Sequence, residues 1–202
     1  MEVKSTEKLR LEIMVDLETA SLKENAAWLE VSAVPFRLNG EEVNDFQPYT
    51  AIVDMMSCYM AGMDVNGCQE FWQAQDPKAV VRLVNGEKKP IARVADELYH
   101  YLAAFQEQYE VEVWAQGIDF ECPKLEWVFR KFVEKDPPYS YWNKSDARTF
   151  CNKMGIKKED FEFEGVKHSS LDDCRHQIKK VNAAYEIMYP KPFIDDMKKE
   201  NR

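Results

Sequence analysis

Two carboxylate side chains stand at the end of the first apolar stretch of the chain, which runs from Leu11 to Thr19. The stretch is typical of a buried β-strand. Because strand side chains alternate between faces, Asp16 and Glu18 point to the same side, roughly 6–7 Å apart along the chain. Like charges at this spacing repel each other, and a divalent cation between them would remove the repulsion. The pair therefore predicts part of a metal site.

Two further acids follow a later strand. The stretch from 111 to 115 is predicted as a strand, and Asp119 and Glu121 come shortly after it. If this strand lies beside the first, either acid would emerge next to Asp16 and Glu18. Ligands collect at the carboxyl ends of strands in α/β sheets, so this is the expected place for a site.

A histidine and an acid mark the start of the last predicted helix. His168 precedes the helix and Asp173 lies in its first turn, so both side chains can face one cleft. Simpler interpretations exist for the same residues. Ser170 and Asp173 fit a capping box, His168 fits a surface loop, and Asp172 and His176 fit either a metal-binding pair or an ion pair one turn apart.

The hydrophobic pattern predicts an α/β domain with a mixed sheet. Antiparallel strands open the chain, with a hairpin turn at Asn39-Gly40, and helices alternate with a strand after them. Phe71 and Trp72 are more typical of a core than of a substrate platform. A single domain over residues 1–202 is expected, with loose tails at 1–10 and 190–202. The predicted strands are about 11–18, 26–38, 47–53 and 111–115, and the predicted helices are about 67–75, 77–84, 90–109, 125–133, 145–153 and 170–189.

Composition limits the classes of function. A net charge of −9 argues against a protein that coats nucleic acid by broad charge attraction. Five cysteines without a C-x-x-C pair favour reduced thiols in a cytoplasmic protein. No apolar run is long enough to span a bilayer, and the charged N-terminus lacks the core of a signal peptide, so no membrane association is expected.

The motifs together resemble the DEDDh branch of the DnaQ-like 3′→5′ exonucleases. That branch carries D-x-E on the first strand, an aromatic–acid pair after the fourth strand and H-x-x-x-x-D at the start of the last helix. The corresponding segments here, in the same order, are Asp16-Leu17-Glu18-Thr19, Phe120-Glu121 and His168 to Asp173.

Connecting segments resemble one subgroup, the phage and bacterial exoribonuclease-like proteins related to phage exonuclease A. The resemblance covers about residues 11–189. The segments are Ala26 to Val34, Phe71 to Gln75, Trp114 to Gly117, Tyr141-Trp142-Asn143, Asp146 to Thr149 and His168 to Asp173.

This resemblance implies a ribonuclease H-like fold with a central mixed five-stranded sheet flanked by helices. It implies a 3′→5′ exonuclease that uses two Mg²⁺ or Mn²⁺ ions and releases nucleoside 5′-monophosphates from single-stranded or 3′-overhang RNA or DNA, with RNA favoured. It assigns the metal ligands Asp16, Glu18, Glu121 and Asp173, the general base His168, and the substrate-binding residues Thr19 and Phe120.

One position departs from the subgroup, which carries Asp where this chain has Glu121. Since Mg²⁺ requires near-octahedral geometry, the added methylene matters. Glu121 reaches the metal after a small backbone adjustment, or Asp119 replaces it from the same face of a continuing strand, or turnover is reduced. We favour Glu121. The last case describes a catalytically weak family member that binds nucleic-acid ends or nucleotides without efficient turnover.

Basic residues near the motifs are candidates for phosphate contacts, although each also fits an ordinary solvated charge. The aromatic and methionine content is compatible with a homodimer. The basic candidates are Lys23, Arg148, Lys167 and Arg175.

Overall fold

Six strands form one mixed sheet in the computed structural model, which describes residues 8–38 and 46–190. The sheet order is β4-β3-β2-β1-β5-β6. The first three strands are antiparallel neighbours, whereas β5 runs parallel to both β1 and β6, and β4 runs parallel to β3. The strands are Leu9–Thr19 (β1), Trp28–Phe36 (β2), Tyr49–Val53 (β3), Lys88–Lys89 (β4), Tyr109–Ala115 (β5) and Lys144–Asp146 (β6).

The mixed sheet is confirmed, and the expected number of five strands is too low by one. The two short strands, β4 and β6, lie at opposite edges of the sheet. They contain two and three residues, mostly polar, so they carry no alternating pattern that would reveal them in the sequence. β1 begins at Leu9, two residues earlier than predicted. The predicted turn at Asn39-Gly40 lies outside the described residues.

Seven α-helices complete the described part of the chain. The long helices α4 and α7 follow the prediction closely, and α1 was not predicted. Its first turn is capped by Asp54, whose carboxylate accepts the backbone N–H groups of Met56 and Ser57. The helices are Met55–Met60 (α1), Gln69–Gln73 (α2), Pro77–Asn85 (α3), Ile91–Gln108 (α4), Ile118–Val128 (α5), Ala147–Lys153 (α6) and Ser170–Met188 (α7).

The start of α5 corrects the sequence prediction. The helix was predicted to begin near 125, and Asp119 and Glu121 would share a face only if the strand continued, but the helix already begins at Ile118. The carboxylate of Asp146 accepts the Ile118 N–H at 2.8 Å, which satisfies one of the free donors of the first turn. Pro123 hides this helix in the sequence because proline normally ends one.

The two faces of β1 build two separate cores. Leu11, Ile13 and Val15 belong to the larger cluster, which also contains the buried face of α4. Met14 belongs to the smaller cluster, which contains residues of α6 and α7. Because strand side chains alternate, the even-numbered acids at the end of β1 point toward α7, the helix that carries Asp173.

Candidate functional site

A cavity of about 420 Å³ opens where β1 ends and α5 and α7 begin. All seven residues that the sequence assigns to the site line it. The cavity is lined by Asp16, Leu17, Glu18, Thr19, Leu22, Cys68, Phe71, Trp72, Gln116, Phe120, Glu121, Arg148, Phe163, Lys167, His168, Asp173, His176, Gln177 and Lys180.

Glu18, His168 and Asp173 form the tightest group in this cavity. One potential ligand atom from each lies within 4.8 Å of the other two. His168 Nδ1 is 3.7 Å from Glu18 Oε1. Burial raises the pKa of Glu18, while the neighbouring imidazole of His168 opposes this shift. A buried acid beside a histidine can orient the ring and stabilise its protonated form.

Asp16 is buried at the end of β1 and contacts α7. Its carboxylate accepts a hydrogen bond of 2.8 Å from Gln177 Nε2 on α7. The pKa of Asp16 is raised well above its usual value, first by burial and then by the negative charges of Glu18, Asp173 and Glu121. These carboxylates therefore share one electrostatic environment, in which a cation would favour their ionised forms.

The side chains of Glu121 and Asp119 point in different directions because this segment is helical. Successive residues in an α-helix are about 100° apart around the axis, so residues i and i+2 point in nearly opposite directions. Glu121 is buried and lines the cavity. Asp119 is exposed and lines a neighbouring pocket with Tyr141 and Trp142. The expectation that Asp119 shares a face with Glu121 is wrong.

Two buried carboxylate oxygens suit a cation. Glu121 Oε2 and Asp173 Oδ2 have no hydrogen-bond partner among the described residues. Burial raises the pKa of Glu121 to about 7, and burial together with Glu18 raises that of Asp173 to about 6. Buried polar atoms normally have partners, and hard divalent cations prefer oxygen ligands. The donor set therefore fits a hard divalent cation.

Phe71 and Trp72 form an aromatic wall beside His168. Their ring centroids lie 5.1 and 6.0 Å from that of the imidazole. Trp72 Nε1 donates a 3.0 Å hydrogen bond to the Thr19 carbonyl, which ties the wall to the end of β1. Phe71 is 45% exposed. The interpretation of these two aromatics as core residues is therefore wrong for Phe71, and Trp72 is only partly buried.

Thr19 and Phe120 both face the cavity from the ends of neighbouring elements. The Thr19 hydroxyl donates to the Ser21 carbonyl at 2.8 Å, so its side chain supports the turn after β1. Phe120 is half-buried, and Lys124 Nζ lies 3.4 Å from the centre of its ring. A cation over one face of Phe120 strengthens its packing.

Two of the four basic residues predicted to contact phosphates line the cavity. Arg148 and Lys167 are exposed and line it. Lys23 instead lies 3.3 Å from Asp64, and Arg175 lies 3.6 Å from Asp172. Neither of them belongs to the lining.

The simpler interpretations of the α7 start are only partly met. Ser169 precedes the helix without a side-chain cap, and the Ser170 hydroxyl lies 2.7 Å from that of Ser32, so Ser170 and Asp173 do not form the capping box. Asp172 accepts the Val166 N–H at 3.0 Å. His176 packs against Phe163 with ring centroids 4.9 Å apart.

Several cavity residues were not identified from the sequence. Gln177 and Lys180 follow Asp173 by four and seven residues, the spacing that keeps side chains on one helix face, and this spacing could have identified them. Lys180 Nζ donates to Gln116 Oε1 at 2.6 Å. Glu30 and Arg82 lie outside the cavity lining and contact the His168 turn. Their only signal in the sequence was an acid inside the apolar stretch of β2.

Comparison with known proteins gives a family match. A family model described as the 3′–5′ exoribonuclease Rv2179c-like domain matches residues 11–185. No curated protein matches the sequence. In the described part of the chain, no helix combines the length and apolar character needed to cross a membrane.

Solved structures share the fold at low sequence identity. A zinc-bound complex of E. coli exonuclease I with single-stranded DNA has a TM-score of 0.53 and 10% identity, covering 94% of this chain and 43% of that chain. Exonuclease I from Methylocaldum szegediense gives 0.55 and 11%, covering 91% and 42%. The nuclease domain of 3′hExo, a DEDDh family member bound to rAMP, gives 0.54 and 12%, covering 91% and 94%.

These likenesses confirm the predicted ribonuclease H-like fold of the DEDDh exonucleases. The chain spans less than half the length of the two exonuclease I chains and nearly the whole of the 3′hExo nuclease domain.

Proposed function

Because the chain belongs to the family of 3′–5′ exoribonuclease Rv2179c-like domains, we propose that it removes nucleotides from the 3′ end of single-stranded or 3′-overhang nucleic acid, with RNA favoured over DNA. The observation that carries the proposal is the convergence of Asp16, Glu18, Glu121 and Asp173 with His168 on one cavity. Among the structurally similar proteins, E. coli exonuclease I is in complex with single-stranded DNA and the 3′hExo nuclease domain is bound to rAMP, which supports the same class of substrate.

The four acids are the proposed ligands of two Mg²⁺ or Mn²⁺ ions. Glu121 Oε2 and Asp173 Oδ2, which lack partners within the described ranges, would contribute directly. When bound, such ions activate a water molecule and stabilise the negative charge that develops on the leaving oxygen. Gln177 binds one carboxylate oxygen of Asp16, and the other is not needed for that hydrogen bond.

His168 is the proposed general base. An imidazole exchanges protons near neutral pH, so it can accept a proton from the attacking water. Its Nδ1 lies 3.7 Å from Glu18 Oε1, and its ring packs against the aromatic wall of Phe71 and Trp72. These neighbours limit the rotation of the ring. Hydrolysis at the 3′-terminal phosphodiester would release a nucleoside 5′-monophosphate.

The rest of the cavity is suited to a terminal nucleotide. Aromatic side chains provide stacking surfaces, and Phe71 and Phe120 are available for this purpose at the cavity wall. Arg148, Lys167 and Lys180 place positive charge at the same cavity, where it would balance that of the phosphates. Thr19 is the proposed polar contact next to the acids of β1.

The test is an assay on 5′-labelled single-stranded and 3′-overhang RNA and DNA with Mg²⁺ or Mn²⁺. We expect stepwise shortening from the 3′ end, loss of activity in EDTA, and a fall of at least about 100-fold for Asp16→Asn and for His168→Ala. The matched control is His100→Ala, since His100 is an exposed histidine on α4 outside the cavity. Absence of shortening, or shortening that both site variants leave unchanged, would contradict the proposal.

A further inference from the structure

The backbone of His168 adopts a conformation that L-amino acids rarely adopt. Its φ is +62°, in the left-handed region, and only one other non-glycine residue of the described chain has a positive φ. Such a conformation is unfavourable for a residue with a side chain, and it persists where surrounding contacts enforce it. The turn at His168 must therefore be held from outside.

An ion pair between Arg82 on α3 and Glu30 on β2 contacts both sides of this turn. Arg82 Nη2 donates to the His168 carbonyl at 3.2 Å. Glu30 Oε2 accepts the Ser170 N–H at 2.8 Å. The two side chains also bind each other through two parallel hydrogen bonds, Nη1 to Oε1 and Nη2 to Oε2, the second at 2.7 Å. Side chains and turn thus form a closed ring of hydrogen bonds.

The ion pair is also tied to the strand that carries Glu18. Glu30 lies directly opposite Glu18 in the antiparallel register of β1 and β2, and it is only 3% exposed. Glu30 therefore links the strand position of Glu18 to the turn that contains His168. Arg82 also balances the charge of Glu30, which would otherwise act on Glu18 as a second buried negative charge.

We propose that Arg82 and Glu30 are positioning residues that fix the His168 turn, and hence the imidazole, against Glu18. This inference deepens the proposed function, since it rests on His168 as the base. A planar guanidinium can bind a carboxylate with two donors and still donate to a carbonyl, whereas an ammonium group lacks this fork. Arg82→Lys therefore preserves the charge and removes the bridge.

The first measurement is hydrogen exchange of the segment 166–172, which needs no activity. In Arg82→Lys we expect exchange in this segment, including the Ser170 amide, to become at least about tenfold faster while exchange in the strands is unchanged. The matched control is Arg93→Lys, because Arg93 also pairs with a glutamate, Glu97, but on the surface of α4. Unchanged exchange in segment 166–172 of Arg82→Lys would overturn the proposal.

The second measurement is kinetic. Misplacement of the base should lower kcat about 10- to 100-fold in Arg82→Lys and leave the KM for the oligonucleotide nearly unchanged. In a His168→Ala background the Arg82→Lys substitution should not lower kcat further, because Arg82 acts through His168. An equal loss in both backgrounds would overturn the proposal. If the parent protein has no exonuclease activity, the proposed function fails, and the exchange experiment alone decides whether Arg82 holds the turn.

Discussion

At the scale of single residues, Glu121 stands where the exonucleases that the chain resembles carry an aspartate. It lies in the first turn of α5 and is 6% exposed. Its Oε2 would lie 3.6 Å from a Cβ built at Gly117, so the longer side chain bends back over the start of the helix. This geometry favours a working site built on glutamate over the reduced turnover that the substitution alone suggests.

Glu121→Asp should therefore lower the exonuclease rate. The shorter side chain withdraws its carboxylate from the cavity by about one methylene, which octahedral metal coordination tolerates poorly, and we expect a loss of at least about tenfold in kcat. Initial rates across a Mg²⁺ titration would measure it. The matched control is Asp119→Asn, which should keep the parent rate. A large gain in Glu121→Asp would instead favour a weak enzyme that mainly binds nucleic-acid ends.

The raised pKa values make the unfolding free energy of the metal-free protein depend on pH. Burial raises the pKa of Glu121 from 4.5 to about 7. An acid with a raised pKa in the folded state adds stability below its unfolded pKa, and this stability is lost as pH rises through the folded pKa. From pH 4.5 to 8 in EDTA, Glu121→Gln should therefore lose less unfolding free energy than the parent, with a difference of about 3 kcal/mol.

Urea unfolding at several pH values would measure this difference. Asp173, whose pKa is about 6, contributes to the same loss in both proteins and so serves as an internal reference. Added Mg²⁺ should stabilise the parent more at pH 8 than at pH 5, because protons compete with the ion at low pH. Identical pH dependence in the parent and Glu121→Gln would contradict the assignment of the raised pKa to Glu121.

At the scale of elements, the sequence was informative wherever burial imposes a period. The alternation in β1 correctly placed Asp16 and Glu18 on one face, and the apolar stripe of α4 was found with its bounds nearly right. Features that depend on single polar contacts were not predicted. Asp146 starts α5, and Arg82 supports His168, through hydrogen bonds between residues 28 and 86 positions apart, which no local pattern records.

The loop before α7 depends on one glycine. Gly165 has a φ of +99°, and a Cβ there would lie 2.5 Å from the Asp172 carboxylate that accepts the Val166 N–H. Gly165→Ala should therefore displace the loop that leads to His168, lowering kcat and costing more than the 1–3 kcal/mol or so typical of left-handed strain alone. Oligonucleotide kinetics and urea unfolding would measure both effects.

Gly155→Ala is the matched control for this prediction. Gly155 also has a positive φ, +76°, but a Cβ there would meet nothing within 4 Å. Gly155→Ala should lose unfolding free energy through backbone strain and keep its exonuclease activity. Equal losses of stability and kcat in both variants would show that the contact with Asp172 has no particular role.

At the scale of the whole molecule, basic residues lie at the cavity of an acidic protein. The chain carries a net charge of −9, yet Arg148, Lys167 and Lys180 all line the cavity. Two of the four cations proposed from the sequence, Lys23 and Arg175, lie elsewhere. Composition argues against broad electrostatic coating, and the choice among individual cations required the fold. With the carboxylates neutralised by bound cations, Arg148, Lys167 and Lys180 are the positive charges that a 3′ end would meet in the cavity.

Binding of single-stranded RNA should consequently depend only weakly on salt. Each phosphate neutralised on a single strand contributes about −0.7 to the slope of log affinity against log salt, so three cavity cations predict a slope of about −2. Fluorescence anisotropy with the Asp16→Asn protein would measure it without turnover. Lys167→Ala should reduce the magnitude of the slope by about 0.7, and Lys23→Ala, whose lysine pairs with Asp64, should leave it unchanged. A slope steeper than about −5 would mean that the strand contacts many cations outside the cavity.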